Sequence, residues 1–338
     1  MERPKTSHDG HTLPSAGPGP GVGLALGGGA ARGLAHIGVI QELEARGLSI
    51  THLAGCSMGA VVAAAYACGT LDRLVERTRG LQYPELVRWI RFNGGILDGD
   101  RVYRELQDLT GALTFDDLPV ELVLVATDLA TGEPVRLDRG EVARAVQASM
   151  SVPGLLPPVS VNGRWLVDGG LVELVPVGPL AEMGAEYRVA VDVSNRADIW
   201  GRLARAGRVA YRQVRGHDRL ASCVQGHAFS SGQRAWSTRS TLAHAFEISE
   251  ARAHWANDGT EGTENPPLDC VLHPDLSRYH GHQFHEVEEL IEAGRQAVRR
   301  ASQHLPPENA ACARSLGGNA GVPAGGTEAG AVARRALQ

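Results

Sequence analysis

Between Val22 and Val193 the chain alternates between two apolar patterns. Short apolar runs read as strands: Val22–Leu26, a run ending at Ala54, Leu122–Ala126, Val135–Leu137, Val159–Val161, Trp165–Val167 and Arg188–Val193. Stretches with helical spacing lie between them. Ala31–Arg46 carries Leu34, Ile37, Val39, Ile40 and Leu43, and Ala60–Ala67 is almost wholly small and apolar, as a buried helix would be. Further helices are expected over about 71–92, 100–109, Glu141–Met150 and Val177–Met183. The unbroken apolar run Leu122–Ala126 fits a strand covered on both faces, and Asn162-Gly163 between two short strands predicts a type I′ hairpin. Together these elements predict an α/β protein, a three-layer α/β/α sandwich around a mainly parallel sheet.

The alternation fails in three places. Residues 1–20 and about 306–338 are rich in Gly, Pro and Ala without apolar periodicity and read as disordered tails. Residues 196–266 hold seven arginines between Arg196 and Arg219 and few large apolar residues, and read as a helical and loop insertion. Order is expected to return with a strand at Cys270–Leu272 and a helix over Phe284–Arg300, so one domain covers 21–305.

Composition narrows the classes. With 43% apolar and 21% charged residues among 338, bulk disorder is excluded. A net charge of −5 gives no support for nucleic-acid binding. All but Lys5 of the 33 basic residues are arginine, which reads as coding bias rather than a set of chosen contacts. The five cysteines are odd in number and lack C-x-x-C spacing, which points to a reducing compartment and to no metal site. There is no apolar run near the N-terminus and no stretch of about 18 apolar residues, so neither a signal peptide nor a transmembrane segment is expected. The expected location is the cytoplasm. The Arg196–Arg219 stretch could touch the inner membrane face peripherally, though a solvated helix accounts for it equally well.

Three turns carry the candidate chemistry. Gly55-Cys56-Ser57-Met58-Gly59 stands between a strand and a buried helix. A serine on such a sharp turn projects its hydroxyl from the sheet edge at a helix N-terminus, where a developing anion is favoured. Gly27-Gly28-Gly29-Ala30-Ala31-Arg32-Gly33 also joins a strand to a helix. It fails as a dinucleotide fingerprint, because Arg32 or Ala30 falls where a glycine is needed and Ile50, Thr51 and His52 stand where an acidic ribose ligand would be. Backbone N–H groups of such a loop suit an oxyanion hole instead. Asp168-Gly169-Gly170 follows the Trp165–Val167 strand and offers a carboxylate that could take a proton from Ser57.

In this order the three motifs resemble the patatin-like phospholipase family, closest to the bacterial group with Gly-Gly-Gly-x-x-Arg-Gly, Gly-x-Ser-x-Gly and Asp-Gly-Gly. The resemblance covers about 22–193, with support from Ala126-Thr127-Asp128-Leu129 and Ala148-Ser149-Met150-Ser151-Val152-Pro153-Gly154, and resumes at His273-Pro274-Asp275-Leu276-Ser277. It implies a lipid acyl hydrolase with a Ser–Asp dyad. Ser57 would be the nucleophile and Asp168 the general base, and Gly27, Gly28 and Gly29 would supply the oxyanion hole, with Arg32 orienting that loop. Gly33, Gly55, Gly59, Gly169 and Gly170 would be motif glycines. It implies no cofactor and no metal, and a lipid or acyl-ester substrate. Where the family often has Asn before a Leu-Pro, this chain has Glu173-Leu174-Val175-Pro176.

The remaining candidates have plainer readings. His36, inside the first helix, is expected to be a packing residue or one that supports the site indirectly, Cys56 to be a small buried residue, and Asp128 to cap a strand end or pair with an arginine such as Arg32. Arg32 itself either orients the glycine loop or forms a surface ion pair. The spacing His280-x-His282-x-x-His285 could ligate a metal but fits a solvated helix start better. Two other functions stay open: an α/β-hydrolase-type esterase whose triad includes a His, and a non-enzymatic lipid-binding or regulatory protein on the same fold.

Overall fold

The computed structural model describes residues 21–80, 97–194 and 268–306, with Thr241, Leu242 and Ala245 between the last two stretches. The expected tails, nearly all of the expected insertion, and the second half of the helix expected over 71–92 lie outside the described residues.

Five strands form the parallel body of one sheet: β1 (Gly21–Leu26), β2 (Ser49–Cys56), β3 (Glu121–Asp128), β7 (Tyr187–Val191) and β8 (Cys270–Leu272), in the order β8-β7-β1-β2-β3. Alternation of side chains along each strand sorts the two faces. Leu24, Leu26 and Leu53 point into the main core beneath α1 (Ala35–Ala45) and α2 (Met58–Ala67). Ala25 and Ala54, in register with each other, face the opposite way against Leu180 of α6 (Gly178–Glu182) and Ala185. Helices therefore cover both faces, giving the three expected layers. Among the described residues the layers also hold α3, described over Leu71–Gly80, α4 (Gly99–Thr110) and α5 (Val142–Ser149).

The sheet is mainly parallel, as expected, and becomes mixed at one end, where β4 (Pro134–Leu137), β5 (Val159–Val161) and β6 (Arg164–Asp168) all pair antiparallel. Their placement decides where the site forms. Leu124 pairs with Gly55 of β2 and with Leu137 of β4, so these strands lie on opposite edges of β3. Ala126 and Thr127 also pair with β4, and on their other side with Asp168 and Val167 of β6. β6 thus takes the same edge of β3 as β2, beyond the point where β2 stops at Cys56. One runs parallel to β3 and the other antiparallel, so their C-terminal ends meet head-on beside Val125 and Ala126. The β5–β6 turn has Asn162 at φ 50° and Gly163 at φ 80°, the left-handed pair that a type I′ hairpin requires.

The helix expected from Ala31 begins differently. Arg32 N–H bonds to the Gly29 carbonyl three residues back (3.2 Å), so Ala30–Leu34 is a 3-10 turn and α1 starts at Ala35. The C-terminal helix begins at Val287, after a turn in which Phe284 N–H bonds to His282 O and Glu286 N–H to Gln283 O; this is α7 (Val287–Arg300). It packs backbone to backbone on α1. A Cβ on Gly38 would lie 1.8 Å from the Ile291 carbonyl oxygen, and one on Gly294 would lie 1.9 Å from that of Ala35. Gly38→Ala forces the two helices apart. The ~1 kcal/mol that Ala gains over Gly in helix propensity does not offset an overpacking cost of about 3 kcal/mol. We expect Gly38→Ala to lower stability in denaturant unfolding by about 2 kcal/mol net, whereas the exposed Gly80, with open space around it, lacks this clash.

Candidate active site

Ser57 is the first residue after β2 and the N-cap of α2, with φ 55° and ψ −121°. A non-glycine residue held there is strained, and such strain concentrates at functional turns. The turn closes because α2 lies almost on the strands. A Cβ on Gly59 would sit 2.0 Å from the Leu26 carbonyl oxygen, and one on Gly55 would sit 2.7 Å from Ala60 Cα. The two flanking glycines are therefore needed for space.

Across the meeting of strand ends stands Asp168, fully buried. Ser57 Oγ donates to Asp168 Oδ2 at 2.7 Å, and Gly170 N–H donates to Oδ1 at 2.8 Å. The backbone of Asp168 is fixed as well: its N–H donates to Ser151 O (2.9 Å) and its carbonyl accepts from Thr127 Oγ1 (2.8 Å). Gly169 passes so close beneath that a Cβ would meet Val125 O at 2.3 Å and Cys56 Sγ at 3.1 Å. Burial pushes the Asp168 carboxyl up to about 6, against the opposing pull of the Ser57 and Gly170 hydrogen bonds. Burial likewise raises the Cys56 thiol well above its usual range, so Cys56 is an inert filler under the turn.

The glycine loop lies beside Ser57: a Cβ on Gly28 would be 3.1 Å from Ser57 Cβ. The structure revises which of its amides are available. Gly27 N–H is committed to Val191 O (3.1 Å) and Gly28 N–H to Leu174 O (3.0 Å). Among the described residues, the N–H groups of Gly29 and Ala30 have no acceptor, nor do those of Met58 and Gly59 in the first turn of α2. Four amides without an acceptor thus stand at two helix starts, one of them the helix that Ser57 caps. Ala31 N–H bonds to Gly281 O (3.0 Å), which ties the loop to the C-terminal segment. Gly33 is held against Met58, with only 2.4 Å between its Cβ position and Met58 Cγ.

His36 lies under the loop, fully buried, with Nε2 2.7 Å from the Gly27 carbonyl oxygen. A carbonyl only accepts, so Nε2 carries the proton. Burial drives the imidazole down to about 4, keeping the ring neutral. Arg32 is 2% exposed, which rules out the surface ion pair as its role. Asp128 caps a turn by accepting from Ala130 and Thr131 N–H, and the arginine facing it is Arg164 at 3.9 Å, not Arg32. The late histidines are occupied elsewhere: His273 faces Asp192 at 3.9 Å, His280 stacks on His282, and His285 sits beside Glu286. Among the described residues, no group of His, Cys, Asp or Glu is disposed to hold a metal ion, and no helix is long and apolar enough to cross a membrane.

The chain is similar in sequence to known proteins. The family model of patatin-like phospholipases matches residues 24–181. Residues 24–181 belong to the patatin-like family. An NTE family protein of Mycobacterium tuberculosis is 39% identical over 178 residues, 52% of this chain and 49% of that protein. A lysophospholipase of Aspergillus fumigatus is 28% identical over 295 residues, 82% of this chain and 18% of that protein. The chain spans about half the length, or less, of the curated relatives it matches. Among solved structures, VipD from Legionella pneumophila aligns with a TM-score of 0.41 and 16% identity, over 89% of this chain and 70% of that chain.

Within this patatin-like domain, the Glu173-Leu174 pair contributes through its backbone. Glu173 N–H bonds to Gly169 O (2.9 Å), closing the turn after Asp168, while the Leu174 carbonyl holds Gly28. Polar side chains are therefore not required there to link the Asp168 turn to the glycine loop. Asp168 makes the domain's stability pH-dependent. Its folded pKa, about 6, exceeds the unfolded value of about 3.9. The stability of the protonated form is complete below about pH 4 and is lost as the pH rises through 6. Asp168→Asn removes the buried charge. We expect it to unfold at higher temperature than the parent at pH 8, by an amount worth up to about 3 kcal/mol, with the gap closing toward pH 4.5.

Proposed function

We propose that the chain is a serine-dependent lipid acyl hydrolase of the phospholipase or lysophospholipase type, working through a Ser57–Asp168 dyad. The observation that carries this reading is the 2.7 Å hydrogen bond from a strained, half-buried serine hydroxyl directly to a buried carboxylate, with no imidazole between them. It favours the dyad over a His-containing triad, and it gives the strained turn a purpose that a purely lipid-binding protein would not need.

The steps follow from the geometry. Ser57 Oγ attacks the ester carbonyl carbon while its proton passes to Asp168 Oδ2. The tetrahedral oxyanion is held by the open amides around Ser57, with Gly29 N–H on the loop as the principal donor and the α2 N-terminus adding its partial positive charge. The intermediate collapses, the C–O bond to the alcohol breaks, and Asp168 returns the proton to the departing alkoxide. Water then attacks the acyl-serine, giving a proton to Asp168; the bond between the acyl carbon and Ser57 Oγ breaks, Asp168 passes that proton to Ser57 Oγ, and the acid is released. A carboxylate near 6 is a stronger base than an ordinary aspartate and is still ionised at neutral pH. All groups in this scheme belong to the protein, so it runs without a cofactor. The substrate would be an acyl ester of a lipid, and the site of action the cytoplasm or the surface of a membrane facing it.

Fluorophosphonate labelling tests the nucleophile. Ser57→Ala is expected to abolish labelling and to lower ester hydrolysis by at least about 10³-fold; labelling that persists in the folded variant would sink the proposal. The base predicts the pH profile. In the parent, kcat/KM should fall below an apparent pKa of about 6 and stay level above it, and an imidazole base is tested separately by substituting His273, His280, His282 and His285, none of which should remove activity as Asp168→Asn does.

A further inference from the structure

The stretch Ala148–Gly154 has no part in the steps above, yet it reaches both members of the pair. Ser149, the last residue of α5, is fully buried. Its Oγ accepts from Ser57 N–H at 3.0 Å and donates to the Val125 carbonyl at 2.6 Å. These two partners belong to neighbouring strands: Cys56, the residue before Ser57, is the register partner of Val125. Where β2 leaves the sheet, the ladder between β2 and β3 would lose a bond, leaving a buried carbonyl and a buried amide opposed. One hydroxyl fills the gap and bonds both.

The direction of the two bonds matters. The Ser149 proton is committed to Val125 O, because a carbonyl can only accept, so its lone pairs are turned toward Ser57 N–H. Ser57 is held with its amide against β3 at φ 55°, and its side chain is thereby aimed across the strand gap at Asp168. The same contact withdraws Ser57 N–H from the oxyanion, leaving that task to the Gly29 loop and the later amides of α2. From the adjacent turn, Ser151 O takes the Asp168 N–H. A single segment therefore fixes the backbones of both residues.

We propose that Ser149 is a positioning residue for the nucleophile: its hydroxyl extends the β2–β3 ladder by one bond and so fixes the Ser57 turn in its reactive conformation. This rests on the hydrolase reading of Ser57, and the test separates the two. Ser149→Ala and Ser149→Thr are compared with the parent and with Ser57→Ala for hydrolysis of p-nitrophenyl butyrate, for thermal unfolding, and for hydrogen exchange of the backbone amide of Ser57. Ser149→Ala is expected to lower kcat by about 10- to 100-fold with KM changed less than about twofold. It should also speed exchange at the Ser57 amide, and Ser149→Thr, which keeps the hydroxyl, should recover most of kcat. If Ser149→Ala does not fold, Ser149→Cys replaces it, since the thiol is close in shape but a weak acceptor, and the same outcomes apply. Parent-like kcat, or unchanged exchange at Ser57, overturns the inference. Hydrolysis surviving in Ser57→Ala overturns the hydrolase reading alone, and the exchange measurement still decides the role of Ser149.

Discussion

Two strand ends share one edge of β3, and the rest of the site depends on that constraint. β2 arrives parallel and β6 antiparallel, so whatever follows Cys56 must face whatever ends β6. The residues there are Ser57 and Asp168. Their hydrogen bond is an outcome of sheet register rather than of side-chain reach, which is why a short aspartate suffices. The contacts around them follow from the same junction: Gly169 has to slip under Val125 O and Cys56, Thr127 has a carbonyl to bond, and Ser149 has a gap to fill.

The electrostatics of the pair turn on which term is larger at Asp168. Two hydrogen bonds to the carboxylate favour the charged form, and full burial disfavours it; burial wins, and the group titrates near 6. In the proposed mechanism a base of that strength comes at the expense of stability above its pKa, the trade expected where a charge is kept in a dry site for use. His36 shows the opposite outcome of the same physics. Burial lowers its pKa, the ring stays neutral, and its fixed N–H becomes a support for Gly27 rather than a proton carrier. Both groups are fully buried, yet only the carboxylate has a hydroxyl proton within hydrogen-bond reach.

Much of this was legible in the sequence, for identifiable reasons. Apolar runs and helical spacing located the elements because they record burial directly, and the Gly-x-Ser-x-Gly turn announced itself through its strand and helix neighbours. Strand direction left a mark only at the Asn162-Gly163 hairpin, which sets β5 against β6. Arg164–Asp168 reads alike whether it runs with β3 or against it, so the mixed sheet and the head-on junction emerged only in three dimensions. Donor availability was hidden for a similar reason: the glycine triplet marks where amides can approach, while the carbonyls of Val191 and Leu174 that claim two of them come from distant segments. Thr127 and Ser149 stood within stretches already tied to the family, but hydroxyls serving a junction of three strands have no local pattern to betray them.

The glycines of the site and of the α1–α7 crossing obey a common rule that explains how such a junction stays rigid. At Gly59, Gly169, Gly38 and Gly294 the space a Cβ would occupy is taken by a backbone carbonyl: Leu26 O, Val125 O, Ile291 O and Ala35 O respectively. Packing of this kind does not depend on side-chain rotamers, so it cannot relax by repacking, and any larger residue must move a strand or a helix. α7 holds α1 in this way, α1 carries the 3-10 turn and glycine loop at its N-terminus, and α2 holds the Ser57 turn against β1 by the same means. The donors around Ser57 are thus fixed by main chain against main chain on three sides. In the proposed reaction the hydroxyl meets the carboxylate while the amides meet the oxyanion, and rigidity of this kind is the preorganisation that such electrostatic stabilisation requires.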